Sequence, residues 1–583
     1  MTSRQFLDAL RQAPPGLRLA AYAPNLFDAI AFVLVIGLFS IIAHSFDGMR
    51  APLAALDIAP VRLDPWLLPE YAARTTLRLF AAMAFSLVFT FVVATLAAKS
   101  RWAAMVIIPT LDILQSVPVL GFLTFTVMFF LGLFPGSQLG AECAAIFAIF
   151  TAQAWNMAFS FYQSLRTVPG DLKEVSRQFG FSPWLRFWRL EAPFAVPGLV
   201  WNAMMSMSGA WFFVVASEAI SVGDVNIALP GIGSWLALAI TERDMTAVAL
   251  AVAAIAATIL VYDQLVFRPV VAWADKFRFE TTAAQRQPQS WVYDLIRKTR
   301  LMKHLVLPLV RLVGLIGRLA ARPARLPSAP LPRLAAPLAG LIWFGLVGLA
   351  VGYGLWQMTA YLSARLSPAD VAAAFGYGFV TLVRVMVLIA LASLVWVPVG
   401  VWIGLRPMVA QKVQPVAQFL AAFPANVLFP FAVVLIVHFG LDPDIWLSPL
   451  MVLGTQWYIL FNVIAGASAF PTDLREASVL FRLKRWQWWR RVILPGIFPY
   501  YVTGALTASG GSWNASIVAE VASWGETRLR AAGLGAYIAD ATAGGDYPRV
   551  VLGVAVMSLF VVVFNQLLWR PLYRFAERRL TLT

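Results

Sequence analysis

A chain of 583 residues that is 60% hydrophobic and 13% charged, with a mean hydropathy of +0.75, is too apolar for a soluble protein and reads as a polytopic membrane protein. Its net charge of +16 does not describe a nucleic-acid groove, because the basic residues fall in the gaps between apolar runs, as the positive-inside rule requires. One cysteine, Cys143, excludes an internal disulfide and a cysteine metal cluster, and His44, His304 and His438 lie too far apart in sequence to suggest a metal site.

In chain order, residues 1–27 carry Arg4, Arg11 and Arg18 and are expected in the cytoplasm, without a cleavable signal peptide. The first transmembrane domain is expected over 28–267. Its spans run at about 28–43, 74–99, 103–134 (broken by Pro109 and Pro118), 142–162, 195–220 and 245–267, and the acids Asp47, Asp57, Asp64 and Glu70 lie outside. Residues 268–337 form a basic linker, with amphipathic helices expected between Trp291 and Arg318 at the inner-leaflet interface, then a proline-rich tether through Pro323, Pro327, Pro330 and Pro332. The second domain, 338–569, is expected to repeat the scheme with spans near 338–359, 375–405, 415–439, 445–467, 497–523 and 550–568, before a cytoplasmic tail at 570–583.

The chain also repeats itself in sequence. Pro169, Asp171, Leu172, Glu174, Phe179, Arg189, Pro193 and Pro197 recur 302 positions on as Pro471, Asp473, Leu474, Glu476, Phe481, Arg491, Pro495 and Pro499. Upstream the offset is 306, pairing Thr75 and Arg78 with Thr381 and Arg384; downstream it is 302, pairing Trp211, Glu218, Gly231 and Gly233 with Trp513, Glu520, Gly533 and Gly535. Such matches mean an internal duplication. The polar segment in each copy reads as a helix-turn-helix: Asp171 caps the first helix with Glu174 as its partner, Gly180 supplies a left-handed C-terminal cap, and Ser182-Pro183 restarts a helix. Pro193 and Pro197 mark the return to the next apolar run.

The segment resembles the EAA loop of the permeases of bacterial ABC importers. Glu174-Val175-Ser176, Gly180, Leu190 and Pro193 follow its spacing, with Ala192 where the family has Leu; Glu476-Ala477-Ser478, Val492, Leu494 and Pro495 repeat it, with Arg482 where the family has Gly. Thr-x-x-Arg at Thr75–Arg78 and Thr381–Arg384, Ser116-Val117-Pro118, and Ser217-Glu218 or Ala519-Glu520 followed by Gly-x-Gly resemble the nitrate/sulfonate/taurine/bicarbonate class. The resemblance implies a fused double-length permease of a type I importer: an all-α polytopic membrane protein of about twelve transmembrane helices in two parallel six-span repeats. Each repeat would carry a cytoplasmic coupling loop, 169–193 and 471–495. Asp171, Leu172, Glu174, Gly180, Asp473, Leu474, Glu476 and Arg482 would then contact two cytoplasmic ATP-binding subunits, fed by a periplasmic solute-binding protein, at the bacterial inner membrane with both termini cytoplasmic.

No G-x-x-x-x-G-K-[ST] occurs, so ATP and Mg belong on the partner subunits and the chain needs no cofactor, metal or catalytic residue of its own. Polar groups inside apolar runs are the substrate-path candidates: Arg78, Arg384, Gln115, Ser116, Trp211, Glu218, Trp513, Asn514 and Glu520. Asn156, Asn202, Ser206, Ser208 and Ser516 read mostly as interhelical hydrogen bonds. Unlike pairs across the repeat, Asn202 with Gly504, Ser206 with Ala508 and Phe212 with Asn514, predict an asymmetric pathway for a small anion such as a sulfonate, nitrate or bicarbonate. The alternative is a secondary transporter or channel with parallel repeats and no ATP coupling.

Overall fold

A computed structural model describes residues 26–30, 32–33, 37, 60–116, 119–222, 225–277, 290–299, 335–468, 470, 474, 476, 478, 480–483 and 485–579. Most of the expected first span and N-terminal segment, the linker beyond residue 299 up to 334, Pro118, Pro471 and Asp473 lie outside the described residues. Among the described residues, seven continuous helical stretches are long and apolar enough to cross a membrane: Pro65–Lys99, Gln138–Arg166, Pro183–Glu218, Met245–Phe277, Pro368–Gly404, Trp486–Ala519 and Tyr547–Ala576. Two bent pairs, Lys412–Ala422 with Ala425–His438 (76°) and Pro443–Leu453 with Gln456–Ser468 (45°), raise the count to nine when each pair is one span. The protein is a multi-pass membrane protein.

The elements that matter below are α1 (Leu68–Lys99), α2 (Gln138–Arg166), α3 (Gly170–Gln178), α4 (Ala192–Glu218), α5 (Ile232–Glu242), α6 (Met245–Tyr262), α7 (Pro368–Gly404), α8 (Gln456–Ser468), α9 (Leu494–Ala519), α10 (Leu534–Ala543) and α11 (Tyr547–Phe564). The third expected span is described as two helices, Arg101–Ser116 and Val119–Leu133; Pro109, expected to break it, lies inside the first helix, and Pro118 lies outside the described residues. The expectation of an all-α chain is corrected by two antiparallel hairpins: β1 (Ala219–Val222) with β2 (Val225–Ala228), and β3 (Val521–Trp524) with β4 (Thr527–Arg530). They form where short β-branched runs lie between the last residue of a span and a Gly-x-Gly turn, too short for a helix to nucleate.

Pro193 and Pro197, read from the sequence as marking the return to the next apolar run, lie inside one helical stretch, Pro183–Glu218. Among the described residues, four wide π-helical turns, Phe187–Glu191, Asp263–Phe267, Trp489–Ile493 and Asn565–Trp569, each stand two residues before a proline: Pro193, Pro269, Pro495 and Pro571. A proline in an α-helix lacks its N–H and its ring strikes the carbonyl four residues back. A wider turn at that place removes the clash and lets the helix continue.

The chain divides into two compact units. The smaller is Met1–Gly48 with Asn156–Met204 and Leu260–Leu331; in it Asn202 donates to Ser160 Oγ at 2.8 Å, and Ser290 caps the helix Trp291–Lys298. The larger is Met49–Trp155 with Met205–Ile259 and Pro332–Thr583, and its core packs α7, α8 and α9 together. Glycines set that approach. A Cβ at Gly504 would stand 2.7 Å from Tyr458 O, and one at Gly400 would stand 2.8 Å from Val463. Close backbone approach through small residues is the usual membrane solution, since lipid offers no hydrophobic drive between helices. Gly504→Val should therefore separate α8 from α9, costing about 1–3 kcal/mol or more. The readout is a lowered apparent Tm of the purified chain in detergent.

Candidate functional site

Each repeat builds the same buried clasp. In the first, Arg78 on α1 is wholly buried and grips Glu142 of α2 with two bonds, Nε and Nη2 each 2.6 Å from a carboxylate oxygen. Its Nη1 reaches Glu218 Oε1 at 2.6 Å and Pro230 O at 3.1 Å. Thr75, one turn before Arg78, donates to the same Glu218 oxygen at 2.7 Å and accepts the Ile232 N–H at 3.0 Å. Glu218 Oε2 accepts the Gly233 N–H at 2.6 Å, so this carboxylate sits at the start of α5, where unsatisfied amides and the helix dipole favour an anion. A Cβ on Gly231 or Gly233 would overlap the Glu218 carboxylate, which is why the turn is Gly-x-Gly.

The second clasp uses the same parts. Arg384 Nη1 lies 2.9 Å from Glu520 Oε1; Thr381 donates to Glu520 at 2.9 Å and accepts the Leu534 N–H at 2.9 Å. Ala536 N–H binds Glu520 Oε2 at 2.9 Å, at the start of α10. The third member differs. Asp444 replaces Glu142; it stands 3.7 Å from Arg384, with 54% of its side chain exposed against 1% for Glu142, and its Oδ1 instead accepts the Ala532 N–H at 2.6 Å. Outside the spans, Arg530 is pushed above the ordinary arginine range, chiefly by its bond to the Asp540 carboxylate.

Four path candidates, Arg78, Arg384, Glu218 and Glu520, are thus bound to one another in pairs. Sequence reasoning missed Glu142 and Asp444, although the 302 offset pairs them as acids in both copies. Trp211 and Trp513 are buried, the latter stacked on Phe560 at 6.2 Å. Gln115 is exposed, and the side chain of Ser116 is outside the described residues. Asn514 Oδ1 accepts the Val119 N–H at 2.8 Å, fastening the start of the helix Val119–Leu133 of the other repeat. Asn426, also missed, donates to Phe212 O at 3.2 Å in the opposite sense. Phe212 and Asn514 are repeat partners, so one position ties the two repeats together in both copies, through a backbone carbonyl in one and a side-chain oxygen in the other.

Where both are described, the two polar segments share one turn. Helix α3 begins at Gly170 with Pro169 as its cap residue; Asp171 lies exposed in the first turn and makes no capping bond, a correction to the expected capping box. Pro169 already holds the extended cap geometry and so displaces Asp171 from that role. Gly180 takes the left-handed conformation at φ +67°, and Phe181 N–H closes on Ser176 O at 3.0 Å. In the second copy Leu483 N–H closes on Ser478 O at 3.1 Å, and Arg482 takes the left-handed conformation at φ +49°. A side chain there costs about 1–2 kcal/mol relative to glycine. Ser176 and Ser478 are buried; Glu174, Glu476, Val175, Phe179, Leu480 and Phe481 are exposed, Leu172 is partly buried, and Leu474 is exposed.

Residues 86–268 and 396–581, together more than half of the chain, match the family model described as "Binding-protein-dependent transport system inner membrane component". The chain belongs to that family. With two copies of the domain in one chain, this permease is a fused double-length member of it. It is 27% identical over 187 residues to the nitrate import permease protein NrtB of Leptolyngbya laminosa, covering 32% of this chain and 63% of that protein. To the bicarbonate transport system permease protein CmpB of Synechococcus elongatus it is 27% identical over 174 residues, 30% of this chain and 59% of that one. To the glycine betaine/proline betaine transport system permease protein ProW of Escherichia coli it is 29% identical over 198 residues, 33% and 53% of the two chains. The permease thus spans about three fifths of the length of the first two of these relatives.

Removing the arginine of a clasp should hurt the two copies unequally. Arg78→Met leaves two fully buried carboxylates without a counter-charge, and should cost about 3–5 kcal/mol. Arg384→Met should cost less, because Asp444 keeps water and the Ala532 amide. Apparent Tm values of the two variants in detergent should fall in that order.

Proposed function

We propose that this chain is the membrane permease of an ATP-driven ABC importer, forming both halves of the pathway for a small anion such as nitrate, a sulfonate or bicarbonate. The observation that carries the proposal is the duplicated helix-turn-helix. Two segments close with the same turn on the same buried serine and present exposed apolar side chains beside a glutamate, the form of a docking surface made twice. Each runs through a π turn directly into a continuous helical span, Pro183–Glu218 and Trp486–Ala519, so loop and span are one helical stretch.

On this reading the chain crosses the bacterial inner membrane about twelve times with both termini cytoplasmic. Two cytoplasmic ATP-binding subunits hold ATP and Mg, and a periplasmic solute-binding protein delivers the solute. Asp171, Leu172, Glu174 and Gly180, and Asp473, Leu474, Glu476 and Arg482, face the ATP-binding subunits. Closure of those subunits rocks the repeats between inward and outward access. The clasps of Arg78 and Arg384 hold the outer Gly-x-Gly turns, and the cross-repeat bonds of Asn514 and Asn426 are broken and remade as the path opens. The nitrate and bicarbonate relatives support the anion class; the betaine relative, whose named solutes are zwitterions, supports only the importer reading.

The test is charge reversal on the loops. Glu174→Lys with Glu476→Lys should reduce recovery of the ATP-binding subunits with the purified chain, and ATP-dependent uptake in proteoliposomes, by tenfold or more, with the apparent Tm unchanged because both residues are exposed. Wild-type recovery and uptake in the double variant would refute the coupling role.

A further inference from the structure

Among the described residues, two that are not glycine adopt the left-handed conformation, Arg243 at φ +59° and Arg482 at φ +49°. The repeat supplies a control for each. Arg243 stands where the other copy has Gly545, at φ +65°, and Arg482 stands where the other copy has Gly180. The first exchange has an internal reason. The Arg243 side chain lies over Gly525 at the tip of the β3–β4 hairpin, whose N–H bonds Ile240 O at 2.9 Å, so the arginine helps seat that tip on the end of α5.

Arg482 has no such reason. Its side chain is exposed and makes no hydrogen bond or ion pair among the described residues, yet the backbone keeps the strained turn and the same closing bond as the glycine copy. A strained residue kept at the tip of an exposed loop points to a use beyond the chain's own fold. Its neighbours agree. Residues 471–495 hold six Arg or Lys against two acids, whereas residues 169–193 hold four against three, and one of those acids, Glu191, is paired internally with Arg186 at 3.2 Å.

We propose that the second loop recognises an acidic side chain on its ATP-binding subunit through Arg482, so that the two docking contacts are chemically different: the first rests on apolar fit, the second adds a charge lock. This deepens the coupling role proposed above and rests on it. The consequence is that the two ATP-binding subunits, even when identical in sequence, are held with unequal strength and unequal sensitivity to salt.

The experiment titrates the full-length chain in nanodiscs with candidate ATP-binding subunits from neighbouring genes, at low and high salt. Arg482→Gly relieves the backbone strain, so the apparent Tm should hold or rise, while affinity at low salt falls roughly three- to tenfold and its salt dependence flattens. Arg482→Lys retains the charge and should stay near wild type; Gly180→Ala, uncharged, should leave the salt dependence unchanged. Arg482→Gly binding as tightly as wild type, with the same salt dependence, overturns the charge lock and leaves the coupling role intact. Failure of the wild-type chain to bind any ATP-binding subunit overturns both.

Discussion

Burying a guanidinium among carboxylates inside a membrane protein is the constraint from which the rest of the site follows. An unpaired charge there is expensive, so Arg78 must find acids, and it finds them on two other segments: Glu142 of α2 and Glu218 at the end of α4. Because Glu218 also sits on the amides at the start of α5, one ion cluster fixes the mutual placement of α1, α2, α4 and α5. Gly231 and Gly233 follow from the same fact, since the carboxylate occupies the space a Cβ would need. Thr75 follows too, bridging the acid and the Ile232 amide. Motif residues that look independent in sequence are one physical object.

The duplicate of that object shows what a fused chain can do that a symmetric pair cannot. A dimer of identical subunits presents the same residue at both copies of every position. Here the third clasp member is a buried Glu142 in one copy and a half-exposed Asp444 in the other. At another pair, Phe212 offers a backbone carbonyl to Asn426, while Asn514 offers a side-chain oxygen to Val119. Asn202 bonds Ser160, whereas Gly504 in its place lets two backbones meet. Duplication preserved the frame and freed individual positions to diverge.

The prolines tell a related story about continuity. Read as helix breakers, they would isolate the polar loops from the spans. Placed two residues after a π turn, they leave Pro183–Glu218 and Trp486–Ala519 as continuous rods.

Apolar runs, the 302 and 306 offsets, and the left-handed turn at Gly180 could be read from the sequence alone, because they depend on local hydrophobicity, spacing and backbone sterics. Candidate residues in the spans were legible as polar exceptions, and Arg78, Glu218, Arg384 and Glu520 were all found that way. Their roles were not legible. Which acid meets which arginine depends on contacts far apart in sequence, such as Arg78 with Glu142 and Glu218, 64 and 140 residues away, or Arg384 with Glu520, 136 residues away, and no local pattern encodes them. The hairpins and the π turns were hidden for the same reason: each is a compromise between a local preference and the packing around it. The sequence by itself determined that this is a multi-pass membrane protein and that its permease domain occurs twice. Only the tertiary structure decided that the buried charges hold one another, because in a low-dielectric interior partnership, not identity, sets what a charge does.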